Sequence, residues 1–182
     1  MPRDAIPSPW AEFLDQIDGR LSAPVDLHCL GGFVVSVCYG LQRPTADLDV
    51  LPAASRRNLD ELATLGGKGS PLARQHRVNI DIVTVATVPE SYERRLKRIF
   101  RDRFTTLRLF ALDSYDLILA KLERNHEVDR DDVRYLATAV PLDVSALREL
   151  YVRELRPLLG NPGREDLTID LWAEIIEEAR ER

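Results

Sequence analysis

Apolar residues recur along the chain with two alternating periods, and the switches between them set out a succession of helices and strands. Trp10, Phe13, Leu14 and Ile17 fall on one helical face behind Pro9, so the spacing predicts a first helix, ended by Gly19 and Pro24. Residues 1–9 carry three prolines and are expected to run extended. Residues 25–30 read as a short strand that delivers Gly31-Gly32, residues 33–41 as a helical run, and residues 47–51 as a second strand. Leu59, Leu62, Ala63 and Leu65 return to helical spacing before Gly66-Gly67, and Lys68-Gly69-Ser70 is expected to be a flexible surface loop. Residues 78–85 are rich in β-branched side chains and apolar on both faces, the pattern of a central strand, and residues 107–112 predict one more. From Asp113 onward the pattern is helical. Asp113 and Asp116 form a cap and an acidic first turn, and later helices are expected over residues 142–159 and 167–179, parted by Gly160-Asn161-Pro162-Gly163. Trp172, Ile175 and Ile176 read as core or interface residues. Strands early and helices late predict an α+β fold: a small mixed sheet with helices against it over residues 1–112, then a helical C-terminal region over 113–182.

Composition narrows this picture. A chain of 182 residues, 45% hydrophobic and 30% charged, suits one sizeable core or a compact domain with an appended helical part. Its formal net charge of −5 argues against coating nucleic acid by bulk electrostatics, so any such contact must be local. Residues 89–104 are the local candidate. Arg94, Arg95, Lys97, Arg98, Arg101 and Arg103 are interleaved there with Tyr92, Phe100 and Phe104. Two readings stay open: a solvated helix face whose charges pair with acids elsewhere, or a surface that grips RNA phosphates and stacks on bases. Cys29 and Cys38 read as small core residues rather than a disulfide or metal pair, which fits a reducing compartment. The start of the chain lacks the apolar run of a signal peptide, and no apolar stretch nears the about 20 residues of a membrane helix. A soluble, cytoplasmic protein without membrane association is expected.

The candidate chemistry centres on residues 31–51. In a strand, residues two apart share a face, so Asp47 and Asp49 sit side by side. Two carboxylates that close repel unless a cation lies between them, and their oxygens suit a hard divalent ion such as magnesium. Gly31-Gly32, between a strand and a helix start, offers backbone N–H groups and the positive helix end to a phosphate. Asp81 breaks the apolar pattern of its strand and is expected to be a buried carboxylate in need of a cation. His28 reads as a hydrogen-bonded core residue rather than a ligand, because no second histidine or cysteine stands at a metal-site spacing.

Gly31, Gly32 and then Arg43-Pro44-Thr45-Ala46-Asp47-Leu48-Asp49 resemble the signature of the polymerase-beta-like nucleotidyltransferase superfamily. The R-x-T-x-D-x-D form is particularly similar to its minimal bacterial members, including the AbiEii-like and MenT-like toxins. The resemblance extends over residues 27–136 through Asp116-Leu117 with Lys121-Leu122, then Asp129 and Asp132, although Glu127-Val128-Asp129-Arg130 departs from the usual R-x-K-D link. It implies a palm in which Asp47, Asp49 and Asp81 are catalytic and hold two magnesium ions. Gly31 and Gly32 would bind the β and γ phosphates of a nucleoside triphosphate, with Lys121 and Arg124 as further nucleotide contacts. Many members carry serine at the second glycine, a hydroxyl that Gly32 lacks. Asp129 and Asp132 could cap their helix or orient Lys121. The activity implied is transfer of a nucleoside monophosphate to an RNA acceptor, tRNA first among them, in a toxin restrained by an antitoxin protein. Transfer to a small antibiotic-like alcohol is the alternative within the class, and an inactive palm acting as a partner-binding module the alternative outside it.

Overall fold

The computed structural model describes residues 6–181, so the first five residues of the proline-bearing start lie outside it. The chain forms two compact units: one takes the chain up to Thr84 together with Leu96–Leu112, the other takes Val85–Arg95 and the chain from Asp113 onward. The short excursion of residues 85–95 into the second unit has no counterpart in the division expected at residue 112.

The first unit is built on a five-stranded mixed sheet. Its strands are β1 (Val25–Leu30), β2 (Asp47–Leu51), β3 (Asn79–Ile82), β4 (Lys97–Ile99) and β5 (Leu107–Ala111), in the order β3-β2-β1-β5-β4. β1 runs antiparallel to β2 and parallel to β5, β2 parallel to β3, and β4 antiparallel to β5. Alternation sorts the side chains between the two faces, although Leu30 and Leu51 at the strand ends are buried on the second face as well. Leu27, Cys29, Leu48, Val50, Ile80, Leu107, Leu109 and Ile99 are buried on one face. Helix α1 (Trp10–Asp18) packs there with Trp10, Phe13, Leu14 and Ile17 all buried. The helical run α2 begins as Gly31–Phe33 and continues with wider, π-type turns over Val34–Cys38. Helix α3 (Arg56–Gly66) lies so close that a Cβ on Gly66 would come within 2.6 Å of Ile17 Cδ1. Asp18 ties the end of α1 to the start of β5, its carboxylate accepting from the N–H groups of Thr105, Thr106 and Leu107 at 2.6–2.9 Å.

Residues 68–70 form a turn with Lys68 and Gly69 exposed, as expected, but Ser70 is buried and caps a short helix α4 (Pro71–His76) that the spacing does not announce: Ser70 Oγ accepts from Ala73 N, and Pro71 supplies the fixed φ of a first helical residue. The strand expected over 78–85 stops at Ile82, with Val85 88% exposed, and it is an edge strand rather than a central one. Residues 89–104 form neither helix nor helix face. They make a 3₁₀ turn, Tyr92–Arg95, and then the other edge strand, β4. Both edges thus carry charged residues, which discourages edge-to-edge pairing.

The second unit is helical, with α5 (Ser114–Leu119), α6 (Glu127–Ala139), α7 (Val144–Leu150) and α8 (Gly163–Arg180). Asp113 caps α5 by accepting from Asp116 N at 2.9 Å. α7 continues through a π-type turn, Tyr151–Leu155, and a 3₁₀ turn, Arg156–Leu158. Trp172 and Ile176 are fully buried, as their spacing predicts, and Trp172 Nε1 donates to Asn125 Oδ1 at 3.1 Å.

Residues 85–95 belong to this unit because Arg95 forks between two carboxylates. Its guanidinium donates to Asp116 at 2.9 and 3.0 Å and to Glu154 at 2.8 and 3.3 Å. Burial pushes the Asp116 carboxyl up to about 6 against these Arg95 bonds, with nearby Asp113 adding to the rise. The sign follows from linkage. A carboxyl raised in the folded state binds more protons folded than unfolded, so its stabilisation is present below about pH 4 and lost as pH rises through about 6. Asp116→Asn should therefore remove a fall in stability on the order of 1–3 kcal/mol between pH 4 and 7. Urea denaturation of both proteins at the two pH values checks this, and parallel pH profiles would contradict it.

Candidate active site

Antiparallel pairing of β1 and β2 places Leu30 opposite Asp49, so the chain leaves β1 at Gly31 directly beside the carboxylate. The approach is closer than any other residue would allow. Gly31 has φ +72°, and a Cβ there would stand 1.9 Å from Asp49 Oδ2. α2 starts at this glycine, and Leu30 at its N-cap has no side-chain hydrogen bond to offer the first turn. Gly32 faces the segment that leads into β2: a Cβ on it would lie 3.4 Å from Thr45 Oγ1 and 4.0 Å from an Arg43 guanidinium nitrogen. Ser36 Oγ donates to Arg43 O at 2.8 Å and Thr45 Oγ1 to Asp47 O at 3.1 Å, which pins that segment over the turn.

Parallel pairing of β2 and β3 sets Asp81 opposite Asp49, and Asp47 opposite Asn79, on the face of the sheet away from α1 and α3. Asp81 is exposed, which corrects the expectation of a buried carboxylate. An edge strand with one open face leaves Asp81 in water, so no desolvation penalty demands a cation there. What remains is its placement beside Asp49. As oriented, the three side chains do not converge: among the described residues, no set of three or more His, Cys, Asp or Glu groups is arranged to hold a metal. Their chemistry nevertheless suits a hard cation, since all three offer only carboxylate oxygens from one face. The neighbouring thiols do not compete. Burial pushes Cys29 far above the usual thiol range and Cys38 up to about 12, so both stay protonated and unbridged.

His28 is not a core residue. It lies half-buried on the aspartate face, with its ring 6.0 Å from that of Phe110 in a T-shaped pair.

In the second unit, Lys121 is 4% exposed, and its ammonium lies 2.9 Å from Asp132 Oδ2 and 3.3 Å from Asp129 Oδ1. Arg124 Nε donates to Asp129 Oδ2 at 2.9 Å. Asp129 also accepts from His126 N at 3.0 Å, closing the first turn of α6. The two roles weighed for Asp129, capping and orienting Lys121, are therefore combined in one side chain. Burial raises its carboxyl, but Arg124, Lys121 and the His126 N–H outweigh that and hold it below the usual range.

The arginine-rich stretch is partly occupied as well. Arg95 serves the Asp116–Glu154 pair, Arg103 pairs with Asp15, and Phe104 is buried and so withdrawn from stacking. Arg94, Lys97, Arg98 and Arg101 are exposed.

Across residues 11–180 the chain matches a family described as "Nucleotidyltransferase of unknown function (DUF6036)". The chain belongs to this nucleotidyltransferase family. No curated protein and no solved structure matches it. The mixed sheet with its C-terminal helices is the α+β arrangement of a nucleotidyltransferase palm followed by a helical region. Among the described residues, no helix is long and apolar enough to cross a membrane.

Within this nucleotidyltransferase, Arg43 and Thr45 are the residues that sequence reasoning passed over. They stood in the R-x-T-x-D-x-D signature without a role, and only the fold shows that the segment doubles back onto Gly32.

Proposed function

We propose that this nucleotidyltransferase uses magnesium and a nucleoside triphosphate to transfer a nucleoside monophosphate to the 3′ hydroxyl of an RNA, tRNA above all. The observation that carries the reading is the contact of Gly31 with the Asp49 carboxylate, which joins a phosphate-accepting turn to a carboxylate site. Asp47, Asp49 and Asp81 would hold the metal. When bound, magnesium supplies neutralisation of the phosphate charge and polarisation at the α-phosphorus. The N–H groups of Gly31 and Gly32, with Arg43 beside them, hold the β and γ phosphates in line. The acceptor hydroxyl oxygen forms a bond to the α-phosphorus, the α–β bridging P–O bond breaks, pyrophosphate leaves, and the hydroxyl proton passes to Asp81. Lys121 is already held by Asp129 and Asp132, so the reading rests on the first unit's residues, with Lys121 and Arg124 as further candidates suggested by resemblance.

Similarity to AbiEii-like and MenT-like toxins motivates the physiological part: modification of RNA that slows growth, restrained by an antitoxin. A small alcohol acceptor is the second reading, favoured by the occupation of Arg95 and Arg103 and the burial of Phe104. Incubation with each labelled triphosphate, magnesium and total tRNA should label RNA with the wild type and not with Asp49→Asn. Labelling unaffected by Asp49→Asn, or no heat on titration of magnesium and triphosphate into the wild type, would overturn the catalytic reading and leave a partner-binding palm. Growth should slow on expression of the wild type and recover with Asp47→Ala.

A further inference from the structure

Strand register carries the aspartate face further than the site itself. Residues paired across strands share a face. Asp49 pairs with Asp81 on one side. On its other side Asp49 pairs with the buried Leu30 of β1; two residues back along β1, on the same face, His28 pairs with Leu51 of β2 and with Phe110, and Phe110 in turn with Arg98 of the far edge strand. The face therefore passes from carboxylates, through the His28–Phe110 ring pair, to an exposed arginine, all within the first unit. Adjacent to the rings, Asp26 and Arg108 are register partners joined by an ion pair, so the charge of Arg108 is met locally. Arg98 is the cation that this arrangement presents at the edge. At about 4.8 Å per strand, and with the two-residue offset from Leu30 to His28 adding about 6.7 Å along the strand, Phe110 and Arg98 stand roughly 12 and 16 Å from Asp49.

We propose that this face is the track along which a single-stranded RNA 3′ end reaches the carboxylates, its bases stacking on Phe110 and His28 and a phosphate meeting Arg98. The proposal rests on the nucleotidyltransferase reading above and names its acceptor surface. Half-buried rings beside the aspartates are a sequence-tolerant platform for unpaired bases, and a guanidinium at the rim suits the backbone phosphate. Continuity with the aspartates argues for this occupant, because only a chain end laid on the rings would have its hydroxyl at the carboxylate end of the same face. A paired terminus could not splay its bases onto them.

The test is fluorescence anisotropy of the full chain with a labelled single-stranded RNA, and with the same strand annealed to its end, beside calorimetric titration of magnesium and triphosphate. Phe110→Leu and His28→Gln keep volume and packing, and Arg98→Glu reverses the edge charge. Each should weaken single-strand binding by roughly tenfold, Arg98→Glu should also reduce the salt dependence, and the annealed RNA should bind more weakly than the single strand. Triphosphate heats should stay as in the wild type. RNA binding unchanged in all three variants, with triphosphate binding intact, would overturn the track while leaving the enzyme reading standing. Absent triphosphate heat in the wild type would instead sink the enzyme reading and this proposal with it.

Discussion

Gly31→Ala is expected to lose nucleotidyl transfer by about a hundredfold or more while the protein remains folded. Two effects coincide at this position. A φ of +72° costs an L residue roughly 1–2 kcal/mol, which a core of this size tolerates. The added Cβ would also stand 1.9 Å from Asp49 Oδ2, and the side chain that must give way is the carboxylate itself. The displacement thus falls on the site rather than on the core, and an ångström of misplacement at reacting groups is enough for about a hundredfold. Gly32→Ala is the control. It has no positive φ, and its Cβ would meet Thr45 Oγ1 at 3.4 Å, a contact that a small shift relieves. Steady-state kinetics and thermal denaturation of both variants separate the effects. Wild-type transfer by Gly31→Ala would mean that Asp49 does not act where the proposal places it.

Lys121→Met should give the largest loss of stability, on the order of 3–5 kcal/mol. Removing the ammonium takes from Asp132, 1% exposed, its Lys121 ion pair and leaves Asp129, 0% exposed, to Arg124 and the His126 N–H; a buried carboxylate deprived of a buried cation costs about that much. Lys121→Met combined with Asp132→Leu should recover part of the loss, because apolar packing then replaces the pair on both sides. The pH dependence has a definite sign. Asp129 is held below its usual value, so its stabilisation is present at neutral pH and lost as pH falls through and below the ordinary carboxylate range. Chemical denaturation at pH 7 measures the first effect and a descent to pH 3 the second. If Lys121→Met instead melts like the wild type and loses only triphosphate affinity, the lysine serves the nucleotide and not the fold.

The parts of this molecule written in local spacing were legible without coordinates. Pro9 with its helical face, the strand into Gly31-Gly32, the aspartate pair two residues apart and the Asp113 cap all depend on neighbours a few residues away. Misreadings arose where the partner is distant. The apolar run around Ile80 looks central because period alone does not reveal whether a strand has one neighbour or two, and a central strand would bury Asp81. For Arg95 and Arg103 both readings stay open in the sequence, pairing with acids or a basic surface, because the acids they pair with, Glu154 and Asp15, are 59 and 88 residues away. Arg43 and Thr45 acquire a place only when their segment folds back over Gly32. His28 reads as core because no second histidine or cysteine stands at a metal-site spacing, and only the register with Phe110 shows that it lies half-buried on the aspartate face.

The excursion of residues 85–95 bears on how such a chain comes to be made. A polypeptide emerging from its N-terminus presents β1, β2 and β3 early, but β5, which lies between β1 and β4, follows that excursion. Until Ala111 has emerged, β1 lacks one of its two neighbours and its apolar face is only partly covered. By then Arg95 has been synthesised ahead of both its carboxylates, and it must wait 21 residues for Asp116 and 59 for Glu154. Cutting the chain between Leu112 and Asp113 makes that wait permanent: the N-terminal fragment would carry an eleven-residue segment of the second unit, irregular chain ending in a 3₁₀ turn, with nothing to fold against. Genetic truncation at that point is therefore not a clean excision of a domain, and only a cut that also closes the gap from Thr84 to Leu96 respects the way the units are threaded.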